Sequence, residues 1–172
     1  MDNVIDAFEQ QPGATTQRKI GEFQHGGDCT LVTEDNGASV RPDDSDDCPC
    51  QSGALFSDCC GRFIRSNTGP DTAEQLMRSR YTAFVLEDEP YLHATWDPST
   101  CPEQIEFDPR TRWLGLKIKS SSNGKPSCEF AEVEFVARYK IDGRAHRIHE
   151  NSRFVKRHGR WGYLGPITSD TN

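Results

Sequence analysis

No stretch of this 172-residue chain approaches the roughly 18 consecutive apolar residues that a membrane-crossing helix requires. The opening residues, MDNVIDAFEQQPG, place acids where an export signal needs a basic start and an apolar core. The expectation is a soluble, cytoplasmic protein with no membrane contact. A surplus of basic charge is also missing, because the net charge is -7. A broad nucleic-acid footprint needs a basic face, so composition argues against nucleic acid as the partner. The sequence shows no Gly-rich phosphate loop, no nucleophile motif, no open metal site and no internal repeat. What is there is lean but globular: 34% hydrophobic against 27% charged residues, in a length that allows one ordinary domain plus an appendage.

The negative charge is unevenly placed. Residues 1–47 hold eleven acids against Arg18, Lys19 and Arg41, whereas the remaining 125 hold sixteen acids and seventeen bases. Residues 1–47 are rich in Gly, Gln, Thr, Asp and Asn, and read as an acidic, loosely structured extension. Residues 4–8 and 29–32 are patterned to dock as a helical turn and a strand. The run Asp43, Asp44, Asp46 and Asp47 reads as a solvated spacer, with a docking acid patch as the sharper alternative.

Seven cysteines without an export signal favour metal or redox chemistry over a disulfide framework. Cys29, Cys101 and Cys128 have no ligand-like spacing and read as ordinary thiols. Cys48, Cys50, Cys59 and Cys60 are different, and define a small unit over residues 48–66. Zinc takes four soft or borderline ligands in a tetrahedron. A Cys-x-Cys turn stiffened by Pro49 sets two thiolates on one side of the ion. Ser52 and Gly53 allow the reversal that brings back the adjacent pair Cys59-Cys60. Four thiolates close the coordination shell, so the expected ion is a structural Zn2+. Adjacent cysteines do not easily bridge each other, which leaves a redox pair as the other reading. A unit this small has no core of its own, and metal binding would supply its folding energy.

Residues 70–168 carry secondary-structure periodicity. Asn67 to Pro70 form a turn, Asp71 and Glu74 have capping-box spacing, and residues 73–86 show the apolar stripe Leu76, Met77, Tyr81, Phe84 and Val85 of a helix. Pro90 suits the first turn of a short second helix ending near Trp96. From Trp113 onward the period becomes two, clearest where Ala131, Val133, Phe135, Ala137, Tyr139 and Ile141 alternate with Glu132, Glu134, Arg138 and Lys140. Asp142-Gly143 and His158-Gly159 are turn signals, residues 148–155 read as a third strand, and Trp161 to Leu164 as a fourth. Helices first and an antiparallel meander second mean α+β, with a curved sheet wrapped round a helix.

Two resemblances rest on these residues. CPCQSG followed by CC resembles the SEC-C motif, a zinc knuckle, although that motif usually has Gly directly after its second Cys and this chain has Gln51. The segments LMRSRYTAFVLEDEPYLHATWDPST (76–100), WLGL (113–116), EFVARY (134–139) and ENSRFVKRHGRWGYL (150–164) are similar to the YchJ family. That resemblance implies a cone of the nuclear-transport-factor-two-like kind packed on a long N-terminal helix, behind a zinc knuckle. It implies no activity.

Such a cone often holds a pocket. Arg80, Tyr81, His93, Trp96, Trp113, Glu150, Ser152 and Trp161 are the residues expected to face one. The opposing reading makes them packing groups: Arg80 paired with Glu150, the aromatics in the core, and His149 and Glu150 on opposite strand faces. Three functional readings follow. The first is a binding module whose knuckle meets a protein partner. The second is a small-molecule enzyme of isomerase, dehydratase or hydrolase type using the cone. The third is nucleic-acid binding through Arg144, Arg147, Arg153, Lys156, Arg157 and Arg160, which a solvated strand face explains as well.

Overall fold

The computed structural model describes residues 41–66, 68–122 and 129–167. The expectations for residues 4–8 and 29–32, and for Cys29 and Cys128, lie outside the described residues. The elements run α1 (Gly61–Ile64), α2 (Ala73–Val85), α3 (Glu89–Ala94), β1 (Thr111–Ser121), β2 (Phe130–Ile141), β3 (Arg144–Arg157) and β4 (Arg160–Pro166). The strands form a single antiparallel sheet in sequence order. This is the α+β meander that the change of period implied.

Two tight turns set the register. Asp142 and Gly143 have φ of 49° and 79°, and His158 and Gly159 have 50° and 79°. Paired left-handed residues make the two-residue turn whose twist matches that of the flanking strands. Pairing of β2 with β3 therefore begins at Ile141↔Arg144, immediately after the turn, and continues to Phe130↔Val155. The third strand thus starts four residues before the expected Ile148, because the turn pairs the polar run 144–147 at once.

The cap of α2 differs from the expected Asp71–Glu74 box by one position. Thr72 is extended and accepts from the Gln75 backbone N–H at 3.2 Å, while Gln75 Oε1 accepts from the Asp71 N–H at 2.9 Å. A hydroxyl one residue nearer the helix reaches the third amide, so Thr72 takes the cap. The Asp71 carbonyl instead accepts the indole N–H of Trp161 at 3.0 Å. Asp88 caps α3 through the Tyr91 N–H at 3.1 Å, with Pro90 in the first turn as expected.

Helix α2 has 13 residues and packs on β1, β2 and β4. Its Leu76 and Met77 meet the inner sheet residues Val133, Phe135, Ala137 and Phe154, all of them buried. Burying each such phenylalanine stabilises the fold by about 2–3 kcal/mol. Register shifts in β1 at Trp113/Gly115 and at Ile118/Ser120 bend the sheet round the helix.

Candidate metal centre

The four cysteines converge because a short reversal folds back on itself. Asp47 and Leu55 form an isolated antiparallel bridge, the Cys48 N–H reaches the Ala54 carbonyl at 3.0 Å, and the Phe56 N–H reaches the Asp46 carbonyl at 2.8 Å. Gly53 turns the loop at φ 84°. A second tight turn follows, in which the Cys59 and Gly61 N–H groups both bond the Phe56 carbonyl, at 3.2 and 2.8 Å. Gly61 lies so close that a Cβ there would sit 2.7 Å from that carbonyl oxygen and 3.0 Å from the Phe56 ring. Phe56 is buried beneath the turn, and the single turn α1 leads away from Cys60.

The sulfur geometry fits an ion. All four Sγ atoms lie within 4.8 Å of one another. The Cys50–Cys59 and Cys59–Cys60 sulfur separations are 3.6 and 3.8 Å. A tetrahedron of thiolates at about 2.3 Å from a metal has edges of about 3.8 Å, whereas a disulfide would need about 2.05 Å. These thiols are free, and all but the half-buried Cys59 are buried. The cluster is spaced for metal binding and too wide for bridging.

The protons tell the same story. Donation from Cys48 and then Cys60 holds Cys50 far below an ordinary thiol, and Cys60 brings Cys59 to about 6. The donors are displaced upward, Cys48 to about 11, chiefly through its bond to Cys50, and Cys60 further, through its bond to Cys48. A cation would replace these shared protons and hold all four sulfurs as thiolates. Ser52 Oγ, 3.2 Å from Cys59 Sγ, and Thr82 Oγ1 of α2, 3.9 Å from Cys48 Sγ, stand outside the sulfur cage as supports. Nothing in the spacing of Thr82, 34 residues from Cys48, announces that role.

Gln51 attaches the cysteine loop to the sheet. It adopts φ 56°, a left-handed conformation that normally favours glycine, and its amide donates to the Leu114 carbonyl of β1 at 2.8 Å. Opposite it, Gly115 leaves the room: a Cβ there would fall 2.0 Å from Gln51 Oε1. The glycine usual after the second Cys of such a motif is thus replaced by a residue that accepts the strain and forms a tether. Between loop and sheet lies a cleft of about 470 Å3, lined on one side by Asp47, Cys48, Pro49, Gln51 and Gly53 and on the other by Tyr81, Val85, Trp113 and Leu114.

The eight residues expected around a pocket separate into groups. Arg80 is buried between the rings of Trp96 and Tyr163, each 4.4 Å from its guanidinium carbon, and it donates to the Leu92 carbonyl at 2.9 Å and to Thr95 Oγ1 at 3.1 Å. Glu150 accepts from Ser152 and from the Tyr163 hydroxyl, so both join this inner cluster, in which Ser152 is fully buried. Tyr81 and Trp113 stack edge-on at 5.5 Å and line the cleft. His93 sits on α3, its ring bridging Cys101 Sγ at 3.2 Å and Glu89 at 3.3 Å. Trp161 is tied to Asp71. Arg80 and Ser152 are buried between α2 and the sheet together with the core residues. His149 turns outward to Glu134 at 2.7 Å while Glu150 points inward, as strand alternation requires.

A family model described as YchJ, middle NTF2-like domain, matches residues 72–166, and a SEC-C motif model matches residues 45–62. The chain belongs to the YchJ family. A UPF0225 protein of Ralstonia nicotianae is 52% identical over 134 residues, covering 70% of this YchJ-family chain and 91% of the relative. One from Cupriavidus metallidurans is 56% identical over 108 residues, covering 63% and 74%. The solution structure of a SEC-C motif containing protein from Rhodopseudomonas palustris superposes with a TM-score of 0.62 at 32% identity, over 73% of this chain and all of that one. A crystal structure of a SEC-C motif containing protein from Psychrobacter arcticus gives 0.58 at 29% identity, over 79% and 87%. Among the described residues, no helix is long and apolar enough to cross a membrane.

Proposed function

We propose that Cys48, Cys50, Cys59 and Cys60 hold one structural zinc ion, and that the knuckle so formed is a protein-interaction module carried by the YchJ-type domain in the cytoplasm. The observation that supports this reading is the closed sulfur set: four thiols within 4.8 Å of one another, at tetrahedral spacing. Four protein ligands leave no position for water or substrate, which favours a structural ion over a catalytic one. Free thiols throughout the described residues suit a reducing compartment. The knuckle surface is mostly polar, with Asp46, Asp47, Asp58 and Leu55 exposed around it.

Affinity capture with the full chain and with a Cys59→Ser/Cys60→Ser variant tests the interaction. Partners retained by the intact protein and lost by the variant support it, and identical partner sets refute it. A second reading is carried by the cleft beside Gln51, whose apolar wall of Tyr81, Val85 and Trp113 suits a small organic ligand. Native mass spectrometry of the purified protein separates the two, because a retained small molecule adds its own mass to that of chain and metal.

A further inference from the structure

The outer face of the sheet carries a group of cations that no acid among the described residues neutralises. Register places Arg112 opposite Lys140, Arg138 opposite Arg147, and Lys117 beside Val136 and His149, in three successive cross-strand rows. Arg112, Lys117, Arg138, Lys140 and Arg147 are all exposed, and none belongs to an ion pair among the described residues. Two rows thus set like charges directly across from each other, an arrangement that destabilises a sheet. With strands about 4.8 Å apart and rows about 7 Å apart, neighbouring charges among the five lie within about one Debye length and reinforce one another.

The surrounding charges show that this is a local choice. One row further along, Glu134 answers His149, and beyond it Glu132 lies 3.8 Å from Arg153. Arg157 is bound to the buried Asp97 at 2.7 Å, and Lys156 lies over Trp161. Near the hairpin, Asp142 is taken by Arg110. The late basic cluster in the sequence therefore splits, and the cations on this face without an ion pair among the described residues are centred on Arg138 and Arg147.

A strand edge lies beside these cations. β4 pairs with β3 from Ser152 to Arg157, which leaves residues 144–150 of β3 without a described neighbour on that side. An unpaired edge offers backbone N–H and C=O groups to an added strand. We infer that this edge, with Arg138 and Arg147 beside it, is a docking surface for an acidic, extended segment of a partner protein, which adds alongside β3 and faces its carboxylates to the cations. Single-stranded nucleic acid fits less well, because it needs aromatic platforms for its bases. The large exposed aromatic on this face, Phe130, lies at the far end next to Glu132.

The test uses the metal-loaded full chain and a fluorescent peptide of alternating Glu and Thr, with a Gln/Thr peptide and a single-stranded oligonucleotide as comparators. The acidic peptide binds best, with affinity that falls as salt rises. Arg138→Gln/Arg147→Gln weakens it about tenfold, the factor that two lost surface ion pairs amount to, while Arg153→Gln leaves it unchanged. The same double variant melts about 2 °C higher, because opposed like charges are gone, so loss of binding cannot be loss of folding. Equal binding of acidic and neutral peptides, tighter binding of the oligonucleotide, or self-association of the double variant with peptide affinity intact would each overturn the inference. The last outcome would make the arginines guards of an open edge.

Discussion

The knuckle and the sheet domain are held together by opposite means. Over residues 46–64 the buried apolar side chains are Phe56, Phe63 and three of the cysteines, Cys48, Cys50 and Cys60. In the sheet domain Leu76, Met77, Val133, Phe135, Ala137 and Phe154 form a continuous buried core. A core of that kind needs no ligand to hold it, whereas a loop closed by four thiols would hold its fold through its ion. Cys48, Cys50, Phe56 and Cys60 nonetheless pack into the same buried cluster as that core, and the Gln51 tether and the Cys48–Thr82 contact tie the two regions further.

Chelation under reducing conditions is the strongest way to break the comparison. The proposed zinc would contribute about 10–16 kcal/mol, as in zinc-finger peptides, so its removal should unfold the knuckle. Hydrogen exchange should then accelerate over residues 46–64 and stay slow in β2 and β3. Loss of protection throughout would mean that the two regions fold as one. Phe135→Ala attacks the other region and costs about 3–5 kcal/mol. Thermal unfolding should fall accordingly, with bound metal per folded chain unchanged.

Gln51 sharpens the boundary between them. Gln51→Ala keeps the left-handed strain and loses the bond to Leu114, for a cost of about 1 kcal/mol. Gln51→Gly relieves strain of about the same size, so its stability stays near that of the parent. Both should speed amide exchange at the knuckle and around residues 114–115, and Trp113 fluorescence reports the same release. If neither variant changes them, the tether is incidental.

The smallest effect expected is electrostatic. Ser99 first, and then Arg157, hold the Asp97 carboxyl below its ordinary value of 3.8. A depressed folded-state value gives stability that is complete above 3.8 and disappears as pH falls through the lower value. Asp97→Asn should therefore lower the melting temperature slightly in the neutral region, where the ionised carboxyl contributes. It should converge with the parent as pH falls below about 4, which flattens the acid limb, while metal content follows its own curve.

Much of this was legible in the sequence for physical reasons. The four cysteines stand out because few arrangements other than a metal site need sulfur at such spacing. The strands of the meander were visible where one face is apolar, as in 131–141, and invisible where β3 is polar on both faces at 144–147. The cap moved from Asp71 to Thr72 because two adjacent oxygen-bearing residues compete, and backbone geometry chooses between them. Residues expected to share one pocket separated because aromatic and charged side chains fill a cone as readily as they line a cavity. Thr82 behind Cys48, Tyr163 against Arg80, and the strained tether of Gln51 depend on long-range contacts that carry no local signal. So does the unanswered charge on the outer face, which emerges once register sets Arg138 against Arg147.

Zinc-edge X-ray absorption on the purified, reduced protein tests the central claim most directly. The account predicts one zinc per chain with four sulfur neighbours at about 2.3 Å and no oxygen or nitrogen in the first shell. A mixed shell containing a water or histidine ligand, or reduced protein that carries no metal, would contradict it.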